Sequence, residues 1–194
     1  MSFWPSKKYT CLTDLVHACQ RQESRAQTAL YERYQGRLMG ICVRYARSQA
    51  EAEDIFQESF LKVFSKINDL KAPESIDRWV KSVVVRTAIN YYHRTTRLEL
   101  KNTSLQNQEN ELESTDYERM ISQMSMDTLL RLINSLPDGY RLIINLHLID
   151  GYTHTEIADM LSIADGTSRS QFMRGRNLLI LKLKELGITH HETY

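Results

Sequence analysis

Apolar residues recur at three- and four-residue intervals along most of this chain, and polar breaks interrupt the pattern at a few places. That spacing puts them on one side of a helix. It predicts four helices in the first half, at about 11–20, 25–47, 50–64 and 76–94. In the second of these, Leu30, Tyr34, Leu38, Ile41 and Tyr45 share a face; in the third, Ile55, Phe56, Phe60, Val63 and Phe64 are the expected core. Pro73 disfavours helical geometry just ahead of itself and separates the third helix from the fourth. Periodicity then fades over residues 98–117, LELKNTSLQNQENELESTDY, where too little apolar surface exists to offset the cost of ordering. A flexible linker is expected there.

The pattern resumes with a helix at about 126–135, closed by Pro137-Asp138-Gly139, and another from about 140 to 150. Two further helices follow. Ile157, Ala158, Met160 and Leu161 define a short amphipathic helix over about 155–161, with Thr155 as its expected cap and Glu156 in its first turn. Small and polar residues at 162–166 supply a tight turn. From Thr167 a second helix carries Arg169, Ser170, Gln171, Met173, Arg174 and Arg176, and Leu178, Leu179, Leu181, Leu183 and Leu186 are its expected buried side. Two short helices with a tight turn, the second rich in arginine and hydrogen-bonding groups, form the helix-turn-helix pattern that reads a DNA major groove. No acid occurs from Arg169 through Lys184, while Arg169, Arg174, Arg176, Lys182 and Lys184 are all basic. The competing reading is an ordinary solvated helical hairpin.

Composition sharpens this picture. Seven glycines and three prolines in 194 residues fit an all-α chain of two small helical domains, 1–97 and 126–194, joined by an acidic linker at 98–125. The net charge of +1 hides a division into +6, −4 and −1 over those three stretches. Nucleic-acid contact follows local clusters of charge, so near-neutrality does not exclude it. Cys11, Cys19 and Cys42 form no CxxC pair, and His17 beside Cys19 lacks further ligands, so neither a disulfide framework nor a metal site is expected. His190 and His191 fall in a polar tail. No stretch is apolar enough to span a bilayer and the first ten residues lack a signal-peptide core, which points to the cytoplasm. Without paired carboxylates, a Gly-rich phosphate loop, HExxH or a nucleophile–base pair, no catalytic residue, cofactor or small-molecule substrate is expected.

Two surfaces of the first domain carry further chemistry. On the third helix, Asp54, Gln57, Glu58, Leu61 and Lys62 gather on a polar face, and a leucine among acids and amides makes that face more attractive for docking. The fourth helix interleaves Arg78, Trp79, Lys81, Arg86, Asn90, Tyr91, Tyr92, His93, Arg94 and, just beyond it, Arg97. Cationic groups contact phosphates and aromatic rings stack on unpaired bases. Trp79 is expected in the core.

Taken in order, DIFQESFLKVF, WVKSVVVRTAINYYHR, an acidic connector and LPDGYRLIINLHLIDGYTHTEIADMLSIADGTSRSQFMRGR resemble an RNA polymerase sigma factor. More narrowly, the chain is similar to the two-domain extracytoplasmic-function (ECF) group over residues 25–97 and 126–186. The resemblance implies that Asp54, Gln57, Glu58 and Leu61 dock on the clamp helices of core RNA polymerase. It implies that residues 69–76 capture a flipped base of the minus-ten element, while Arg78, Trp79, Lys81, Arg86, Asn90 and Arg94 contact and melt it. Arg169, Ser170, Gln171, Met173, Arg174 and Arg176 match the helix that enters the major groove of the minus-thirty-five element. Where many members have V-N-T-A, this chain has Arg86 in VRTA, which strengthens phosphate attraction and bears on base preference. The implied partners are core RNA polymerase, promoter DNA and an anti-sigma factor, often membrane-tethered. A rival reading, a stand-alone dimeric helix-turn-helix regulator, accounts for residues 169–176 but leaves the first domain without a role.

Overall fold

A computed structural model describes residues 9–96 and 125–185, all helix or short connection with no strand among them. The chain divides into two compact units, on either side of the Arg97–Leu98 bond. The expected linker at 98–117, along with Arg97, Leu186, His190 and His191, lies outside the described residues.

In the first unit α1 (Leu12–Gln20), α2 (Ser24–Tyr45), α3 (Gln49–Lys66) and α4 (Ile76–Thr96) pack around one core. The α2 row of Leu30, Tyr34, Leu38, Ile41 and Tyr45 is buried throughout. So are Ile55, Phe56, Phe60 and Val63 of α3, whereas Phe64, a turn beyond Phe60 and 5.8 Å from it between ring centres, is half-buried. Ser48 starts α3: its hydroxyl accepts from the Glu51 amide (3.2 Å), and the Glu51 carboxylate accepts from the Arg47 amide (2.8 Å). This satisfies donors that a helix start otherwise leaves without partners. Two single 3₁₀ turns, Ile67–Asp69 and Pro73–Ser75, bridge α3 to α4, with Pro73 opening the second. The Gln20 side-chain amide holds this bridge by donating to the carbonyls of Ile67 and Leu70, both at 3.0 Å.

In the second unit α5 (Met126–Asn134) and α6 (Asp138–Ile144) precede α7 (His154–Leu161) and α8 (Asp165–Glu185). α6 begins at Asp138 rather than near Tyr140: Pro137 is its N-cap, and the Pro137 carbonyl accepts from the Arg141 amide (2.9 Å). It runs on into a π-helical turn, Asn145–Ile149. Leu129, Leu132, Ile133, Leu136, Ile144, Leu179 and Leu183 form the core, flanked by Tyr140, Ile149, Phe172 and Leu178.

The α8 row departs from its sequence reading. Ile180 is buried and Leu181 is 39% exposed. Residues 179, 180 and 183 satisfy the i, i+1, i+4 stripe of a helix facing one neighbour; position 181 points about 200° away from 179. Gly175 sets how closely α8 approaches α6: a β-carbon there would lie 3.0 Å from Tyr140 Cβ and 3.2 Å from Ile144 Cγ1.

Candidate nucleic-acid interface

The helix-turn-helix starts one register earlier than the sequence suggests. Thr153, not Thr155, caps α7: its hydroxyl accepts from the Glu156 amide (3.2 Å) while the Glu156 carboxylate accepts from the Thr153 amide (2.8 Å). That reciprocal pair needs the acid three residues after the cap, which only Thr153 satisfies. Thr155 instead lies on the first turn and donates its hydroxyl to Asp165 Oδ1 (3.3 Å). Ser162 ends α7 in the left-handed conformation, φ 55°, and the Ile163 amide donates to Ala158 O (3.0 Å). α8 begins at Asp165, two residues before the expected Thr167, so the turn is only residues 162–164.

A buried polar contact joins the two helices. Ser168 has no exposed surface, and its hydroxyl meets His154 Nδ1 at 2.9 Å. The His154 ring stacks on His147 (4.3 Å between centres, 19° between planes), and Phe172 stands edge-on to both at 5.5 and 4.6 Å. His147 Nδ1 donates to the Tyr152 carbonyl (2.8 Å). Burial holds the His154 pKa below its ordinary value, with the neighbouring His147 and Arg169 adding to the effect and Asp165 opposing it.

With that packing fixed, the outer face of α8 follows. Arg169, Ser170, Met173 and Arg174 are all exposed, Met173 by 48%, and their i, i+1, i+4, i+5 spacing puts them on one side. Gln171 and Arg176 are half-buried beside that face. Arg169 Nε donates to Asp165 Oδ2 at 2.6 Å. The structure thus brings four of the six expected residues onto one open surface.

The first unit divides its expected readers. Arg86 and Asn90 of α4 are exposed, and Trp79, expected in the core, is half-buried one position off the Ile76–Val80–Val84–Ala88 stripe. Trp79, Val83, Arg86 and Asn90 recur at four, three and four residues, a single helical face with an aromatic end and a polar end. Arg78 and Lys81 instead line an open groove of about 560 Å³ with Arg37, Glu74, Ser75 and Asp77. Asp77 Oδ1 accepts there from Arg37 Nη1 (2.9 Å) and Tyr34 OH (3.1 Å). In the connecting segment 69–76, Leu70 and Ile76 are buried anchors while Asp69, Lys71 and Glu74 are exposed.

Arg94 belongs with neither group. Its Nη2 donates to Glu58 Oε2 (3.0 Å), and Lys62 Nζ donates to Glu58 Oε1 (2.6 Å). Its guanidinium lies 5.0 Å from the centre of the Tyr91 ring, and the Tyr91 hydroxyl donates to Asp54 Oδ2 (3.3 Å). Lys62 first, then Arg94, holds the Glu58 carboxyl below the usual range against the opposing effect of burial. Asp54, Gln57 and Leu61 are open beside it, Leu61 by 72%. The expected docking face is therefore a joint surface of α3 and the end of α4.

Two family models decide the kinship. Sigma-70 region 2 matches residues 30–98, over α2, α3 and α4. Sigma-70, region 4 matches residues 126–179, over the helix-turn-helix. The chain belongs to the sigma-70 family. It is 28% identical over 197 residues to the ECF RNA polymerase sigma-E factor of Haemophilus influenzae, covering 90% of this chain and 97% of that one. The Escherichia coli protein of the same name is 28% identical over 186 residues, with 90% and 96% covered. Both relatives place this sigma factor in the ECF group. Its fold is shared with the sigma factor RpoE solved in complex with the anti-sigma factor NepR from Bartonella quintana, at TM-score 0.51 and 17% identity over 81% of this chain and 96% of that one.

Sequence reasoning placed Tyr34 in the core row without foreseeing its bond to Asp77, and it missed Arg37 and Asp77, which lie too far apart in the chain to suggest a groove. It also missed the His154–Ser168 contact, although Ser168 sits at apolar spacing from Phe172, Gly175 and Leu179. Among the described residues no group of three His, Cys, Asp or Glu side chains converges as a metal centre would require. Burial pushes the Cys19 thiol up to about 11 and the Cys42 thiol up to about 12, so neither offers a thiolate at neutral pH. No described helix is long and apolar enough to cross a membrane.

Proposed function

We propose that this sigma factor docks on core RNA polymerase through Asp54, Gln57, Glu58 and Leu61 and directs it to promoters with a separate reading surface in each unit. Residues 1–97 take the docking and minus-ten role, residues 126–194 the minus-thirty-five role, and residues 98–125 connect them. In the first unit Trp79, Arg86 and Asn90 face the opened strand, while Arg78 and Lys81 attract its phosphates. In the second, Arg169, Ser170, Met173 and Arg174 enter the major groove, with Gln171 and Arg176 at its edge. One observation carries the reading: an outward α8 surface bearing two arginines, one of them paired with Asp165, stands in the unit that matches region 4.

The physics supports two readers on one chain. Engaging the first element raises the effective concentration of the second reader at its own element without any new contact. Unstacking a base costs a few kcal/mol, so an opened strand has to be held by stacking and by phosphate contacts of the kind α4 presents. The protein acts in the cytoplasm, without catalysis of its own, and an anti-sigma factor occludes its docking surfaces. The Bartonella quintana relative was solved with such a partner. The stand-alone regulator leaves residues 30–98 idle, and their match to region 2 counts against it.

Transcription from a genomic library with purified core polymerase tests the proposal. Defined start sites that need this protein are the expected result. Start sites unchanged by its addition, together with tight operator binding in the absence of polymerase, would reject it.

A further inference from the structure

Asp165 occupies the first turn of α8, and its carboxylate joins both helices of the helix-turn-helix. Oδ1 accepts from Thr155 Oγ1 on α7 (3.3 Å), and Oδ2 accepts from Arg169 Nε one turn along α8 (2.6 Å). The Arg169 side chain is 63% exposed and Asp165 39%. Among the described residues the Arg169 guanidinium has no other hydrogen-bond partner.

We infer that Asp165 is a specificity-determining positioning residue, holding Arg169 by Nε so that its terminal edge is presented to guanine in the major groove. The inference rests on α8 being the DNA-reading helix. Guanidinium is planar, with its N–H donors in a fixed fork. A bond from Nε fixes the plane while leaving the Nη1 and Nη2 donors available as a parallel pair. Guanine offers two adjacent acceptors, N7 and O6, that match such a pair; adenine offers one acceptor beside a donor. A free arginine at this position would distribute its long side chain between base edges and phosphates. The carboxylate, itself only an acceptor, draws the cation off the phosphates and repels misplaced base acceptors. Thr155 in turn fixes the carboxylate, so α7 takes part in base choice without reaching the base. Ser170, Met173 and Arg174 have no such tether among the described residues: there Ser170 donates only to Thr167 O, within its own helix (3.1 Å).

The test selects sequences from DNA randomised upstream of the start site, using holoenzyme assembled from core polymerase and the full chain. The wild type is expected to enrich guanine at one minus-thirty-five position. Arg169→Ala should abolish that preference, and Asp165→Asn should reduce guanine-over-adenine selectivity there by about tenfold, within the range of one bidentate contact. The minus-ten preference and thermal midpoint of Asp165→Asn should not move, and the double variant should lose no more than Arg169→Ala alone. Thr155→Val should lower selectivity at the same position by a smaller factor. Full guanine preference in Asp165→Asn overturns the inference while leaving the α8 reading intact. Uniform relaxation at every upstream position, with a lowered thermal midpoint, overturns it in favour of a merely structural role. A loss confined to a cytosine preference, with guanine unaffected, also overturns it, because the carboxylate would then be reading cytosine directly. A wild type that enriches no upstream sequence overturns both the inference and the reading beneath it.

Discussion

Helices α4 and α8 are each 21 residues long and rich in basic side chains, yet they divide their work differently. α4 divides it around its circumference. Ile76, Val80, Val84 and Ala88 face the core, Trp79, Arg86 and Asn90 form one outer stripe, and Arg78 with Lys81 line a groove elsewhere. α8 divides it along its length. Its first turns present Arg169, Ser170, Met173 and Arg174, and its later turns bury Leu179, Ile180 and Leu183. The difference follows from burial: α4 is packed along its whole length, so function is left with the faces that packing does not use. α8 buries Ser168, Gly175, Leu179, Ile180 and Leu183, and between the first two of these anchors its early turns keep Arg169, Ser170, Met173 and Arg174 exposed.

The sharpest way to break this contrast is to separate stability from binding along α8. Leu183→Ala should cost the second unit about 2–5 kcal/mol, as expected of a fully buried leucine. Arg174→Ala should change stability by less than about 0.5 kcal/mol while weakening promoter binding. Urea unfolding of both variants checks the pair, and equal losses would erase the lengthwise division. Gly175 marks the boundary between the two halves. Gly175→Ala forces a β-carbon to within 3.0 Å of Tyr140 Cβ, and overpacking of that kind costs about 1–3 kcal/mol, read as a lowered thermal midpoint. Thr153→Ala removes the hydroxyl of the capping box and should cost about 1 kcal/mol.

Acidity sharpens the comparison from another side. The folded state holds the His154 pKa down, so above the unfolded value of about 6.5 both states are neutral and this contribution is fully present. As pH falls below that value the unfolded chain takes up the proton first, and stability is lost down through the folded pKa. Protonation also opposes the stack on His147 by placing charge against it. Thermal melts between neutral pH and about pH 5.5 should show the second unit weakening, and His154→Phe should flatten that slope across the histidine range. A small stability effect is expected in the first unit as well. Arg94→Ala breaks a largely exposed pair with Glu58 and should cost about 0–1 kcal/mol in urea unfolding.

Much of this was legible in the sequence, for reasons that differ by element. The α2 row at 30, 34, 38, 41 and 45 is a clean helical period, and all five residues are buried. The α8 surface was legible because acids are missing from 169 to 184. Errors arose where two registers compete locally. Thr153 and Thr155 both precede Glu156, and only the three-residue reach of the capping box selects Thr153. Four leucines near 180 suggested a stripe that includes Leu181, whereas packing selects the interspersed Ile180. Contacts between distant residues were out of reach: nothing near Arg94 announces Glu58, 36 residues away, and nothing near Thr155 announces Asp165 across the turn.

The central claim is that docking and upstream reading reside in different units. Reciprocal double variants test it most directly, with binding to core polymerase followed by size-exclusion chromatography and minus-thirty-five-dependent transcription measured beside it. The account predicts that Asp54→Ala with Glu58→Ala weakens co-elution at unchanged helicity, whereas Arg169→Ala with Arg174→Ala co-elutes normally and loses its dependence on the minus-thirty-five element. Identical behaviour of the two pairs in both measurements would contradict it.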